Sequence, residues 1–246
     1  MKKKILALLV LLVPSLGMAS GGGFEPFKVD VDLHNKDSLR NGAKYFVNYC
    51  MGCHSLKYMM YQRMGDDLGL TKEQVEENLI FTGAKIGDYM TISMPEAQAS
   101  EWFGTAPPDL TLVTRNRGAD WLYTYLLTFY VDDSRPFGVN NLMFKDVGMP
   151  HVLWELQGLQ KAVFEESTDE HGNKTRHFVR FEKISDGQLS DAEYEKAVRD
   201  LVAFLVYAGE PAKLVRYQLG VWVILFLLVL LVVSYALKKE YWKDVH

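Results

Sequence analysis

Cys50-Met51-Gly52-Cys53-His54 is the stretch that decides how this chain folds around its site. It has the form C-x-x-C-H, the attachment signature of a c-type haem. Two thiols three residues apart on a helical turn can each form a thioether to one vinyl group of the same porphyrin. The histidine that follows can then offer an imidazole nitrogen to the iron as proximal ligand. A thioredoxin-like redox pair has no need of His54, and a zinc site needs further Cys or His ligands at suitable spacing. The chain has no other cysteine, so a second C-x-x-C half-site is excluded. With both thiols used by haem, no structural disulfide remains.

Working outward from the motif, Leu39, Ala43, Phe46 and Val47 make one apolar face of a helix that delivers both cysteines, with Asp37-Ser38 offering capping side chains. Downstream, Thr71-Lys72-Glu73-Gln74 matches a capping box and predicts a short helix to about Ile80. Residues 82–108, with Gly83, Gly87, Pro95, Gly104 and Pro107-Pro108, predict a loop. A long irregular stretch inside a compact domain needs something to wrap, and a haem is large and apolar. Trp121, Leu122, Tyr125, Leu126 and Phe129 predict a buried helical face, followed by an irregular segment from 132 to 150. Residues 161–183, with a turn at His171-Gly172-Asn173, predict a β-hairpin. Ser190-Asp191-Ala192-Glu193 is a second capping box, and Glu210-Pro211 ends the helix it opens.

The two ends carry targeting and membrane signals. Lys2-Lys3-Lys4, an apolar run over 5–13 and Gly17-Met18-Ala19 form a secretory signal, with cleavage expected after Ala19. Residues 219–237 are uncharged and long enough to cross a bilayer, with Trp222 and Tyr235 as interfacial anchors. The expected organisation is therefore a signal at 1–19, an exported domain at 20–210, a linker at 211–218, an anchor at 219–237 and a cytoplasmic tail at 238–246. The whole chain has a formal charge of −4, but residues 20–210 hold 19 Lys and Arg against 29 Asp and Glu, a charge of −10. Such a field attracts a basic protein partner and makes nucleic acid a poor one.

A low-spin electron-transfer haem needs a second axial ligand, and a methionine thioether serves where a relatively high potential is wanted. Met1 and Met18 leave with the signal, and Met51, Met59, Met60 and Met64 are too near His54. Met90, Met94, Met143 and Met149 remain, as do His34, His151, His171 and His177, whereas His246 falls on the wrong side of the membrane. Sequence order favours Met149, between Gly148 and Pro150, over Met94 and over His151. All three stay open on spacing.

The pieces together resemble the cytochrome c1 family, the haem-c subunits of cytochrome bc1 complexes, in a bacterial form. The resemblance rests on Arg40-Asn41-Gly42 ahead of Cys50-Met51-Gly52-Cys53-His54-Ser55, on Ala106-Pro107-Pro108-Asp109-Leu110-Thr111, and on Arg115-Asn116-Arg117. It continues through Leu126-Leu127-Thr128, Gly148-Met149-Pro150, and Asp200 through Phe204-Leu205 to Ala208-Gly209-Glu210-Pro211 before one C-terminal anchor. It implies a mostly α fold: a class I c-type cytochrome core with loop and small hairpin insertions, plus one transmembrane helix. It implies one covalent haem c on Cys50 and Cys53, with His54 and Met149 as iron ligands. Arg117 would pair with a haem propionate, with Arg115 as its competitor, and Pro107 and Pro108 would line the pocket. There are two departures: Pro150-His151 stands where mitochondrial members have Ala-Pro-Pro, and Phe129 replaces a common Gly.

By that resemblance the chain is not an enzyme on its own. It would carry electrons from a Rieske iron–sulfur protein to a periplasmic cytochrome c, beside cytochrome b, in a dimeric complex. The bilayer would be the bacterial inner membrane, with the haem domain in the periplasm. The rival readings are a tethered cytochrome serving another reductase or oxidase, and a haem enzyme or gas sensor with an open sixth position.

Overall fold

The computed structural model describes residues 24–168 and 174–244. The expected signal, the hairpin tip at His171-Gly172-Asn173 and His246 lie outside these residues. About half of the chain is helical.

Helix α1 (Lys36–Tyr45) is capped by Asn35, whose side chain accepts from the Ser38 amide at 3.1 Å. The cap falls ahead of the expected Asp37-Ser38 because those side chains are engaged elsewhere. Asp37 pairs with Arg40, and the Ser38 hydroxyl donates to Asp200. The helix then widens into a π turn, Phe46–Cys50, with the Met51 amide donating to the Phe46 carbonyl at 2.9 Å. Such widened turns occur often at functional sites, and this one ends on the first cysteine of the motif.

Strand β1 (Leu56–Met60), α2 (Tyr61–Leu68) and α3 (Lys72–Leu79) follow. The capping box at Thr71 and Gln74 opens α3 as expected. A short strand, β2 (Tyr89–Met90), runs antiparallel to β1. Within the expected loop at 82–108 lies a helix, α4 (Glu96–Phe103). Ala99 is its single buried residue, so no apolar stripe announces it. Its bounds are Pro95 before it and left-handed Gly104 after it.

Helices α5 (Val113–Arg117) and α6 (Ala119–Leu127) meet at Gly118, whose φ of 92° needs a residue without a side chain. Phe129, expected on the face of α6, instead opens β3 (Phe129–Val131). That strand pairs antiparallel with β4 (Val139–Asn141), so the stretch expected to be irregular holds a strand. After α7 (Trp154–Gln157), the expected hairpin is present as β5 (Gly158–Thr168) and β6 (Lys174–Asp186). Helix α8 (Asp191–Gly209) begins at the Ser190–Glu193 capping box.

α8 is the centre of the domain and packs against α1, α5 and α6. It crosses α1 at Gly42, where an added Cβ would collide with the Asp200 carbonyl and the Phe204 side chain. The Phe46 and Phe204 rings meet beside this crossing at 5.8 Å. Buried Asp200 is held by Ser38, Asn41 and Lys196. Two helices thus lock face to face, and the haem motif hangs from the end of the first.

Helix α9 (Lys213–Tyr241) begins within the segment read as linker. Within its stretch Val215–Tyr241, an 18-residue window has a mean hydropathy of 2.8 and is unburied by the rest of the chain. The uncharged part of this helix, residues 219–237, is long enough to suit a bilayer.

Candidate haem site

The Cys50 and Cys53 thiols are unpaired and sit on one turn, with the amides of Cys53 and His54 both donating to the Cys50 carbonyl, at 3.1 and 2.9 Å. Burial pushes the Cys50 thiol up to about 12. A protonated, buried thiol is a poor redox nucleophile, which disfavours the redox-pair reading. Among the described residues no group of three or more His, Cys, Asp or Glu is placed to hold a metal ion.

His54 is 9% exposed, and its Nδ1 lies 2.7 Å from the Pro108 carbonyl. A carbonyl only accepts, so Nδ1 carries the proton and Nε2 keeps its lone pair. Fixing the tautomer through an outer hydrogen bond is how ligating histidines are oriented. Burial lowers the His54 pKa, with the Pro108 bond and Asp109 opposing it, so the ring is held neutral. The Ala106–Thr111 segment is stapled onto the motif by further bonds. The Leu110 amide donates to the Ser55 carbonyl at 2.9 Å, and Asp109 accepts from the amides of Lys57 and Thr111. Pro107 is half-buried and Pro108 exposed, so the role visible for Pro108 is its carbonyl.

Met149 is half-buried against the core, and its sulfur accepts from the Tyr125 hydroxyl at 3.3 Å. Met90 is fully buried in β2 opposite Leu56, a packing position. Met51 accepts from Tyr61 within the core on the motif side. Met143 packs on the core, Met94 is half-buried, and His34 lies exposed beside Asp32. Among the described residues, Met149 is therefore the methionine remote from the motif whose sulfur is held by a hydrogen bond. An unpaired C-x-x-C-H with a free imidazole nitrogen, and a thioether fixed by a donor, form the nitrogen and sulfur set that suits haem iron.

Arg115 and Arg117 part company. Arg115 reaches Glu210 at 3.7 Å, and Arg216 pairs with the same carboxylate at 2.7 Å, joining α5, the end of α8 and the start of α9. Arg117 makes no ion pair among the described residues; its guanidinium lies over the Trp121 ring at 5.1 Å. Trp121 stacks on Tyr125 at 5.1 Å, and the Tyr125 ring meets the edge-on Phe129 ring at 5.1 Å. One face of α6 thus runs from the free cation to the Met149 sulfur.

Two residues that hold this site were not singled out from the sequence. Buried Asn140 accepts from the Asp146 amide, and buried Asn141 accepts from the amides of Met143 and Phe144 while donating to the Tyr125 carbonyl at 2.7 Å. The Asn-Asn pair reads as ordinary turn chemistry, yet it shapes the loop that ends at Met149.

A mainly helical core that presents an open C-x-x-C-H and a fixed thioether, and ends in a membrane-length helix, has the layout of a tethered c-type cytochrome. The profile of the Cytochrome C1 family matches residues 26–245. The chain is 52% identical to cytochrome c1 of Allochromatium vinosum over the full length of both. It is 44% identical to a protein named ammonia monooxygenase gamma subunit from Nitrosomonas europaea, over 99% of this chain and 98% of that one. A mitochondrial cytochrome c1 haem protein of Schizosaccharomyces pombe is 28% identical, over 85% of this chain and 67% of its own. This chain belongs to the cytochrome c1 family. It is a membrane-anchored electron-transfer subunit of a cytochrome bc1 complex, not an enzyme alone, and its family implies haem c. Membership also implies cytochrome b and a Rieske protein as neighbours.

Proposed function

We propose that this chain relays single electrons from a Rieske iron–sulfur protein to a periplasmic cytochrome c. Cys50 and Cys53 would hold one haem c covalently, and His54 Nε2 and Met149 Sδ would be its axial ligands. The haem supplies a one-electron couple, and a thioether ligand favours its reduced form. Pro108 sets the His54 tautomer, and Tyr125 holds the Met149 sulfur. Arg117, free of ion pairs beside Trp121, would clamp a propionate bidentately, and Pro107 would line the pocket beside Pro108. Residues 20–210 would form the periplasmic domain, after a signal at 1–19. Residues 219–237 would be the span across a bacterial inner membrane, with a linker at 211–218 and a cytoplasmic tail at 238–246. The complex would be dimeric.

The observation that carries the reading is the His54–Pro108 bond, because it leaves one imidazole nitrogen unprotonated beside two unpaired thiols. Gentle solubilisation of membranes, followed by identification of the bound subunits, tests the assignment. Cytochrome b and a Rieske protein are expected. Recovery with the subunits of an ammonia monooxygenase, the name borne by the Nitrosomonas relative, would overturn it.

A further inference from the structure

We propose that His151 and Phe129 are positioning residues that hold the Met149 thioether where a distal ligand must stand. The inference rests on the reading of Met149 as that ligand. The His151 ring is 7% exposed and lies parallel to Phe129, with centroids 5.0 Å apart and planes within 3°. Gln157 is the polar side chain next to the His151 ring, but no well-formed hydrogen bond to Nε2 results. The parallel stack on Phe129 is the well-formed contact of this imidazole. Phe129 in turn meets Tyr125 edge to face at 5.1 Å, and the Tyr125 hydroxyl donates to Met149 Sδ at 3.3 Å. The contacts therefore close a circuit from Met149 through Pro150 to His151, then to Phe129, Tyr125 and back to the sulfur. Pro150 stiffens the chain link because its φ is fixed. Ring pairs of these geometries attract beyond their buried area, so the circuit resists opening at either stack.

The Phe129–His151 pair braces the loop that carries Met149 through ring contact, beside the Tyr125 hydroxyl bond.

The test uses the solubilised complex carrying its haem, and reads carbon monoxide binding to the reduced form together with the reduction potential. His151→Ala and Phe129→Ala should each raise the carbon monoxide-binding fraction by about fivefold and lower the potential, while the double variant adds little to the larger single effect, as coupled residues behave. His151→Phe, which keeps the stack, should behave as the native protein. Phe129→Leu serves where Phe129→Ala does not accumulate. Met149→Leu should bind carbon monoxide throughout, and a native spectrum for that variant would remove the ligand reading itself. If Met149→Leu responds but His151→Ala and the Phe129 variants match the native protein, the brace is disproved. Equal damage from His151→Phe and His151→Ala would disprove it too, because the nitrogen and not the stack would be at work.

Discussion

Asn141 and Tyr125 share the placement of Met149. The Asn141 side chain donates to the Tyr125 carbonyl at 2.7 Å and accepts from two amides at the head of the ligand loop. Asn141→Ala would strand the buried Tyr125 carbonyl, at roughly 1–3 kcal/mol, and leave two partly buried amides to water. A loss of about 1–3 kcal/mol in denaturant-induced unfolding is therefore expected, and a change under 1 kcal/mol would mean that water takes over the carbonyl bond as well. At the other end of the same tyrosine, the hydroxyl withdraws electron density from the Met149 sulfur. Tyr125→Phe should leave the fold intact and lower the reduction potential, since a stronger thioether donor favours oxidised iron. Redox titration of the variant checks the sign. The C-x-x-C-H motif was legible in the sequence because adjacent residues carry its signal, whereas Met149 stood beside Met94 and His151 on spacing. The Asn-Asn pair was not legible, because the carbonyl it binds lies sixteen residues away and only tertiary folding brings it near.

Among the elements, local chemistry and packing divide what could be read. The capping boxes at Thr71 and Ser190 set helix starts within four residues of sequence, and both α3 and α8 begin there. Helix α4 buries little, and β3 and β4 find each other only across a loop, so neither had a periodic signal. Gly42 is a packing requirement of the α1–α8 crossing. Gly42→Ala would force the helices apart at Asp200 and Phe204, with an overpacking cost of about 1–3 kcal/mol. The thermal midpoint should fall accordingly, and an unchanged midpoint would show that the crossing can relax. The N-terminal segment is strapped to α6 by charge. The amide of Val29 donates to Asp120 at 2.9 Å, and Lys28 pairs with the same carboxylate at 2.9 Å. The Val29 bond, followed by the Lys28 bond, holds the Asp120 pKa below its ordinary 3.8. A depressed carboxylate stabilises the fold fully above its unfolded value and loses that contribution as pH falls through the folded one. The strap should therefore hold at neutral pH and release below about pH 4. Amide exchange at Val29 as pH falls through the carboxylate range measures it, and protection equal in an Asp120→Asn variant would place the holding force elsewhere.

For the whole molecule, charge and anchor act together. Residues 20–210 carry a formal charge of −10, whereas the anchor region and the leading lysines are basic, which is why the chain total of −4 understates the field of the domain. Glu210 ties α5 and α9 to the end of α8, so the acidic domain is joined to the helix of membrane length through ion pairs. A tethered acidic domain that delivers electrons to a diffusing partner gains encounter rate when that partner is basic. Class and membrane attachment were legible from contiguous motifs, but the partner is not encoded in any one stretch; the evidence for it is the sum of charges. Salt tests that sum. At about 0.15 M ionic strength the screening length is about 8 Å, shorter than the approach distance over which steering acts. The bimolecular rate of electron transfer from the complex to a basic cytochrome c should fall steadily as salt is raised from low concentration, while the transfer rate within a preformed pair stays constant. An acidic cytochrome should show the opposite slope. Indifference of both rates to salt would mean that the acidic surface serves solubility alone, and that docking is governed by apolar contact.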